Sequence, residues 1–128
     1  MSEAGTGQAI VDAFARADAA AVCAALAPDA TFHSPVADYQ GAGRIDPVLS
    51  ALTRVLADVA PVSVHHDDGE TVAFFRATVE GRHADGVLRV IAERDAPATE
   101  LTLMVRPLDT LIAGVKAMGR ILGTGSAP

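Results

Sequence analysis

The spacing of apolar residues changes once along this chain, and that change restricts the fold more than any other feature. Up to about residue 60, apolar side chains recur every three to four positions, the period of an amphipathic helix. From residue 62 to residue 106 they recur at every second position, the period of a β-strand. Helices followed by a run of strands favour an α+β fold with an antiparallel sheet over a parallel α/β fold.

Helix and strand limits follow from capping residues, prolines and turn residues. Helices are predicted at 8–22, from the N-cap Asp18 through Leu26, from Arg44 to Ala60, and after Pro107. A short extended piece, Ala30–His33, leads into a loop over residues 34–43. Four strands are predicted at 62–67, 71–80, 83–94 and 98–106. The chain has no repeat or long linker, so we expect one domain over residues 1–128, with an ordered core at about 8–122 and a frayed tail over 123–128.

Several strand residues that would face the helices are small, and a curved sheet with small inward residues leaves a space inside the fold. These residues are Ala73, Ala77, Ala84 and Gly86. The same residues would also suit a slimmer core, so the pattern supports an internal apolar pocket without requiring one.

Charge and cysteine content exclude several classes of function. The formal net charge is −6, and no stretch of the chain is rich in Lys or Arg. Nucleic acid is therefore not expected as a partner, because its binding depends on cations that neutralise phosphates. No segment is apolar for long enough to suggest a membrane span, and no signal peptide is recognisable. The single cysteine, Cys23, is expected to be a buried, unreactive thiol, and a cytoplasmic location is predicted.

Three segments carry a family resemblance: residues 26–35 (LAPDATFHSP), Tyr39-Gln40-Gly41, and residues 101–108 (LTLMVRPL). With the order of elements, they make the chain resemble the SnoaL-like division of the nuclear-transport-factor-like superfamily over about residues 8–122. The resemblance implies a cone-shaped antiparallel sheet curved around three to four helices and enclosing an apolar pocket. It also implies a homodimer paired through the sheet. Ketosteroid isomerases, limonene epoxide hydrolases and polyketide cyclases share this fold, so function depends on the site.

The catalytic positions of two such relatives are changed in this chain. Where ketosteroid isomerases have a general-base Asp before a Pro, this chain has Ser34, which cannot abstract a proton at neutral pH. Their oxyanion Tyr falls on Ile10, and their oxyanion Asp falls near Asp85 or Gly86. Limonene epoxide hydrolases carry an Arg–Asp pair on one strand and an Asp on the last strand; the matching residues here are His83, Asp85 and, in place of the last acid, Arg106. Neither set of residues is retained.

Three residues are the candidates for catalysis if the domain is an enzyme. His33 ends the first extended piece and could act as acid or base, or simply form hydrogen bonds at the pocket rim. Asp85 lies in mid-strand, and Arg106 is expected diagonally across from it, because Val87 would lie opposite Arg106. An Asp85–Arg106 pair could orient a substrate or could stabilise the outer face of the sheet. Alternation places Asp85 on the polar face, although a bulge near Gly86 could reverse this.

Other side chains have structural interpretations beside functional ones. A possible metal site is suggested by His65, His66, Asp67 and Asp68. Adjacent residues of a strand point to opposite faces of a sheet, so these side chains would not converge on one ion, and we predict no metal. Arg89 and Glu100 are expected to pair on the exposed face. No phosphate-binding motif is present, so no cofactor is predicted. The predicted pocket residues are Phe14, Phe32, Tyr39, Phe75 and Leu103, each of which could also be ordinary core.

The sequence therefore favours a small-molecule-binding domain whose ligand is apolar and oxygenated. It leaves open whether the domain also acts on that ligand as an isomerase, cyclase or hydrolase. The alternative is a non-catalytic dimerisation or interaction module without a ligand.

Overall fold

A computed structural model describes residues 5–123, and a six-stranded sheet forms its framework. The strands follow the order β2-β1-β6-β5-β4-β3, and every neighbouring pair is antiparallel except β1 and β6. The helices are α1 (Gly5–Ala15), α2 (Ala19–Ala24), α3 (Ala42–Val55) and α4 (Leu108–Ile121). The strands are β1 (Leu26–His33), β2 (Asp38–Gln40), β3 (Ala57–Asp67), β4 (Glu70–Val79), β5 (Arg82–Ile91) and β6 (Ala98–Arg106). The predicted α+β fold with a mostly antiparallel sheet is confirmed.

Several predicted boundaries were wrong. The helix predicted over 8–22 ends at Ala15, the strands predicted from residues 30 and 62 begin at Leu26 and Ala57, and the strand predicted over 83–94 ends at Ile91. In three further cases tertiary pairing overrides the local pattern. The loop predicted over residues 34–43 contains β2, whose Tyr39 pairs with Phe32 of β1. The third helix ends at Val55 rather than Ala60, since the chain becomes extended at Leu56 and pairs with β4 from Ala57 onward. The second helix ends at Ala24, because the next residues enter β1. Of the predicted frayed tail, residues 124–128 lie outside the described part of the chain.

One end of the space enclosed by the sheet is filled by aromatic packing. The ring of Phe75 on β4 lies over Gly86, which is directly opposite it on β5. Phe14 of α1 packs against Phe75 edge to face, with ring centroids 5.4 Å apart. Both rings are buried, at 4% and 3% exposure. This packing closes the fold beneath α1.

The opposite end is less completely filled. There α3 and α4 lie over the inner face of the sheet, and α3 buries five residues, whereas α4 buries only Thr110 and Ala117. The two helices and the sheet leave a cavity between them. No helix within residues 5–123 has the length and apolar character needed to cross a membrane.

Gly86 is predicted to be required for stability. A Cβ atom there would lie 2.2 Å from Cζ of Phe75, so Gly86→Ala must displace a buried ring. We expect Gly86→Ala to lower the free energy of unfolding by about 1–3 kcal/mol in urea denaturation. Gly43→Ala in α3 is the matched control, because an added Cβ there meets no atom within 4 Å. Equal stability of the two variants would contradict this account of the closed end.

Candidate functional site

The cavity has a volume of about 230 Å³ and is walled almost entirely by apolar side chains. Phe32 of β1 and Leu103 of β6 form its floor on the sheet. Leu52 of α3 and Leu111 and Met118 of α4 contribute from the helices. Pro35, Val36 and Tyr39, in and after the turn that links β1 to β2, complete the rim.

The few polar side chains of the lining are mostly committed to the protein itself. Ser34 Oγ donates to the carbonyl of Ala37 at 2.7 Å and accepts from its amide at 3.0 Å, so it fixes the turn before β2. Thr110 Oγ1 donates to the carbonyl of His83 at 3.0 Å. Tyr39 stacks on Phe32 with ring centroids 6.3 Å apart, and its hydroxyl makes no hydrogen bond within residues 5–123. Among the described residues that line the cavity, none is Asp, Glu, His, Lys, Arg or Cys.

The five residues predicted to line the pocket are divided between the two ends of the fold. Phe32, Tyr39 and Leu103 line the cavity. Phe14 and Phe75 instead form the aromatic packing at the closed end. The contribution of α4, which supplies Leu111, Gly114 and Met118, was not predicted. Its apolar stripe was visible in the sequence, but a stripe does not distinguish a helix that faces packed core from one that faces a cavity.

His33 lies on the outer face of the sheet, held between two carboxylates. Its Nδ1 is 2.9 Å from Oδ1 of Asp38, and its Nε2 is 2.8 Å from Oε2 of Glu100. These hydrogen bonds, that to Asp38 first, raise the pKa of His33 above the ordinary value of 6.5, because both carboxylates favour the protonated ring. The imidazole thus ties β2 and β6 to the end of β1.

Asp85 and Arg106 are also on the outer face and form an ion pair. Arg106 Nη1 donates to Oδ2 of Asp85 at 3.3 Å, and His83 Nε2 is 3.0 Å from Oδ1. The predicted pair is therefore present, but Asp85 is directly opposite Arg106, and Val87 is opposite Met104. The diagonal arrangement predicted from a turn at Ala96-Pro97 was wrong by two residues.

The structure does not bring the three candidate catalytic residues together. His33 is beside Thr102 of β6, whereas Asp85 is beside Arg106 of the same strand. Four residues along a strand span about 13 Å. None of the three is among the residues that line the cavity.

The pairing predicted for Arg89 was wrong. Arg89 is opposite Val72 and bonds to Glu70, two residues further along β4, and this bond raises the pKa of the Arg89 guanidinium. Glu100 bonds to His33 instead. Glu100 thereby joins the outer-face network at the β1 side of the sheet.

Two further features of the sequence have structural roles. His66 bonds to Thr71 Oγ1 at 3.0 Å and to Gln8 Oε1 at 2.9 Å, and so links α1 to the β3–β4 hairpin.

Cys23 is partly buried, and its Sγ atom is 3.7 Å from Oδ1 of Asp46. Burial, together with the Asp46 charge, raises the pKa of this thiol to about 11, so it is protonated at neutral pH.

Comparisons with known proteins agree with the architecture. A steroid delta-isomerase from Pseudomonas aeruginosa is 29% identical, with 96% of both chains covered and a TM-score of 0.81. An NTF2-like protein of unknown function from Cytophaga hutchinsonii is 12% identical, with 83% of this chain and 91% of that chain covered and a TM-score of 0.67. A candidate polyketide cyclase from Sinorhizobium meliloti is 20% identical, with 74% and 93% covered and a TM-score of 0.63.

The last two likenesses show the fold alone. A search of curated proteins finds no match. Residues 8–107, most of the chain, match the family model of the SnoaL-like domain. The chain therefore belongs to the SnoaL-like domain family and has the NTF2-like fold.

Proposed function

We propose that this domain binds an uncharged, largely hydrocarbon small molecule in the cavity between α3, α4 and the sheet. The observation that carries the proposal is the lining, which contains no acidic or basic side chain among the described residues. A charged ligand would give up its hydration there without an opposite charge to replace it. A hydrocarbon surface would instead gain about 25 cal/mol for each Å² removed from water.

The Tyr39 hydroxyl is the group proposed to bind an oxygen atom of the ligand. Ser34 and Thr110 use their hydroxyl groups within the protein, whereas Tyr39 has no such bond in the described part of the chain. A phenol can both donate and accept a hydrogen bond, so a ketone, alcohol or ether oxygen would suit it. The proposed ligand thus has an apolar body and one neutral oxygen-containing group.

The cavity volume sets the size of this ligand. A volume of about 230 Å³ corresponds to about eight water-sized groups at ~30 Å³ each. We therefore propose a ligand with on the order of ten non-hydrogen atoms. This is a single ring or a short chain rather than a four-ring steroid.

The same lining favours binding over acid–base chemistry. Isomerases, cyclases and hydrolases of this type need a proton-transferring group within hydrogen-bond reach of the substrate. The only titratable side chain among the described lining residues is the Tyr39 phenol. His33, Asp85 and Arg106 remain candidate catalytic residues only for a reaction on the outer face of the sheet. The bonds of His33 to Asp38 and Glu100, and the separate Asp85–Arg106 ion pair, give these residues stabilising roles on that face.

Homodimerisation through the outer face of the sheet is a second proposal, favoured by a row of apolar side chains there. Phe74, Val87 and Met104 are directly opposite one another on β4, β5 and β6. Phe74 is 46% exposed and Met104 is 60% exposed. Adjacent apolar side chains at the centre of a sheet face are typical of an interface.

Charges on either side of this row suit a second copy of the same chain. Towards one end of the face, Arg76 and Arg106 flank Asp85. Towards the other end, Glu70 and Glu100 flank Ile91. A twofold axis that lies between the two sheets near Val87 and runs across the strands brings the basic end of one copy towards the acidic end of the other. Such an interface is isologous.

Filling the cavity should abolish ligand binding. We expect Leu111→Trp to weaken binding of a small neutral fluorescent dye such as 2-methoxynaphthalene by more than about tenfold, because the indole occupies the ligand's space. Ile112→Trp is the matched control, since Ile112 is the next residue on α4, is 46% exposed and is not part of the lining. Fluorescence titration measures both. Equal weakening, or none in either variant, would show that the dye binds elsewhere.

A charge in the apolar row should dissociate the dimer. We expect the wild-type protein to be dimeric in sedimentation equilibrium and Met104→Asp to raise the dissociation constant by more than about tenfold. Val36→Asp is the control, because Val36 is equally exposed, at 62%, but lies at the cavity rim. If the wild-type protein is still a monomer at about 100 μM, its self-association is weaker than that of a specific dimer, and the second proposal would be contradicted.

His33 should stabilise the fold in a pH-dependent way. Because its folded-state pKa is raised, the contribution is complete below about pH 6.5 and is lost as pH rises through the folded-state value. We expect the stability difference between wild type and His33→Asn to shrink from about pH 6 to about pH 9. Asp38→Asn should move the pKa of His33, followed by NMR, down towards its ordinary value. An unchanged pKa of His33 in Asp38→Asn would contradict the stabilising role of the bond between His33 and Asp38.

A further inference from the structure

We propose that α4 is a movable lid that opens away from the β4–β5 hairpin to admit ligand to the cavity. The opening itself is a property of the protein alone, whereas its role in ligand entry rests on the proposed binding function. Three independent features of α4 support it: sparse packing, polar attachment along one side, and glycines inside the helix.

The packing of α4 is sparse because one side of the helix faces the cavity. Only Thr110 and Ala117 are buried among its 14 residues, whereas α3, which has the same length, buries five. Leu111 lines the cavity, and Met118 lines it as well while packing in part against the core. A ligand in the cavity would supply the contacts that these side chains lack.

The polar attachments of α4 all lead to one hairpin. Arg120 donates to Glu80 at 2.6 Å near the end of the helix. Near its start, Asp109 accepts from Arg82 at 3.5 Å, and Thr110 bonds to the carbonyl of His83 at 3.0 Å. Residues 80–83 thus hold both ends of α4, while the side towards α3 closes over the cavity. These polar bonds hold the helix in its closed position.

The two ion pairs among these attachments are weak enough to release. The side chains of Arg120 and Glu80 are 61% and 49% exposed, and those of Arg82 and Asp109 are 54% and 72% exposed. Exposed ion pairs add little to stability, since water competes for both partners. Segments with few buried contacts and exposed polar links open at a lower free-energy cost than the core of a protein.

The helix also contains two glycines, which lower its own stability relative to alanine. At Gly119 an added Cβ would meet no atom within 4 Å, so close packing does not require glycine there. At Gly114 an added Cβ would be 3.6 Å from Val79, an ordinary contact. Both residues line the cavity. Their effect is to make the lid helix easier to open.

Hydrogen–deuterium exchange of the full chain without ligand tests the lid directly. We expect amides of α4 to exchange faster than those of α3. Arg120→Glu, which sets two acids against each other, should speed α4 exchange by about two- to fivefold, and the swap Glu80→Arg with Arg120→Glu should restore it. Gly119→Ala should slow α4 exchange by about three- to fivefold. Arg54→Glu and Gly43→Ala, both on α3, are the matched controls.

Protection of α4 equal to that of α3, or no response to Arg120→Glu, would overturn the lid. Stopped-flow mixing with 2-methoxynaphthalene then tests ligand entry. We expect association to be faster for Arg120→Glu and slower for Gly119→Ala. Unchanged association rates in both variants would overturn the role of α4 in entry. Fast α4 exchange in a protein that binds no dye would leave the lid standing and would refute the proposed binding function instead.

Discussion

The packing of Phe75 on Gly86 is the contact on which the arrangement of this domain depends. The sheet and the helices enclose a space that side chains fill at one end only. Phe75 and Phe14 fill the end beneath α1, and the missing side chain at Gly86 is what lets the Phe75 ring lie over β5. The unfilled space is therefore at the other end, under α4. The same ring covers Gly86, one of the two positions at which the resemblance places the oxyanion acid of ketosteroid isomerases, so a ligand cannot reach it.

The register of the β4–β5 and β5–β6 hairpins separates charge from the cavity. From Ala84 onward, the even-numbered residues of β5 face inward and are Ala84, Gly86, Leu88 and Val90, whereas the odd-numbered ones face outward. The described ion pairs that involve the sheet, including Asp85–Arg106 and His33–Glu100, consequently stabilise its outer face, its edge or its turns. The uncharged inner face and the charged outer face of the sheet both follow from the alternation of side chains along its strands. This is why the proposed ligand is neutral, and why the candidate catalytic residues do not meet it.

Much of this arrangement was predictable from residue spacing, and the failures have specific causes. The change from helical to strand period gave the α+β class, and alternation placed Asp85 correctly on the outer face. The predicted register of β5 and β6 was wrong by two residues, since it placed Val87 rather than Asp85 opposite Arg106. Strand register depends on the geometry of the 92–97 connection, which the alternation of apolar residues does not determine. The extent of α3 was overestimated because Val59 continues a helical stripe while belonging to β3. Whether an aromatic residue lines a cavity or fills a core depends on its partner across the sheet, which for Phe75 is Gly86.

The central claim is that the cavity accepts a neutral apolar molecule and rejects a charged one of the same shape. Isothermal titration calorimetry with 1-octanol and octanoate, which share their carbon chain and differ in charge, tests it most directly. The account predicts measurable binding of the alcohol, with a negative heat-capacity change from apolar burial, and at least about tenfold weaker binding of the carboxylate. Carboxylate binding as tight as that of the alcohol would contradict the account, because no group in the described lining could neutralise its charge.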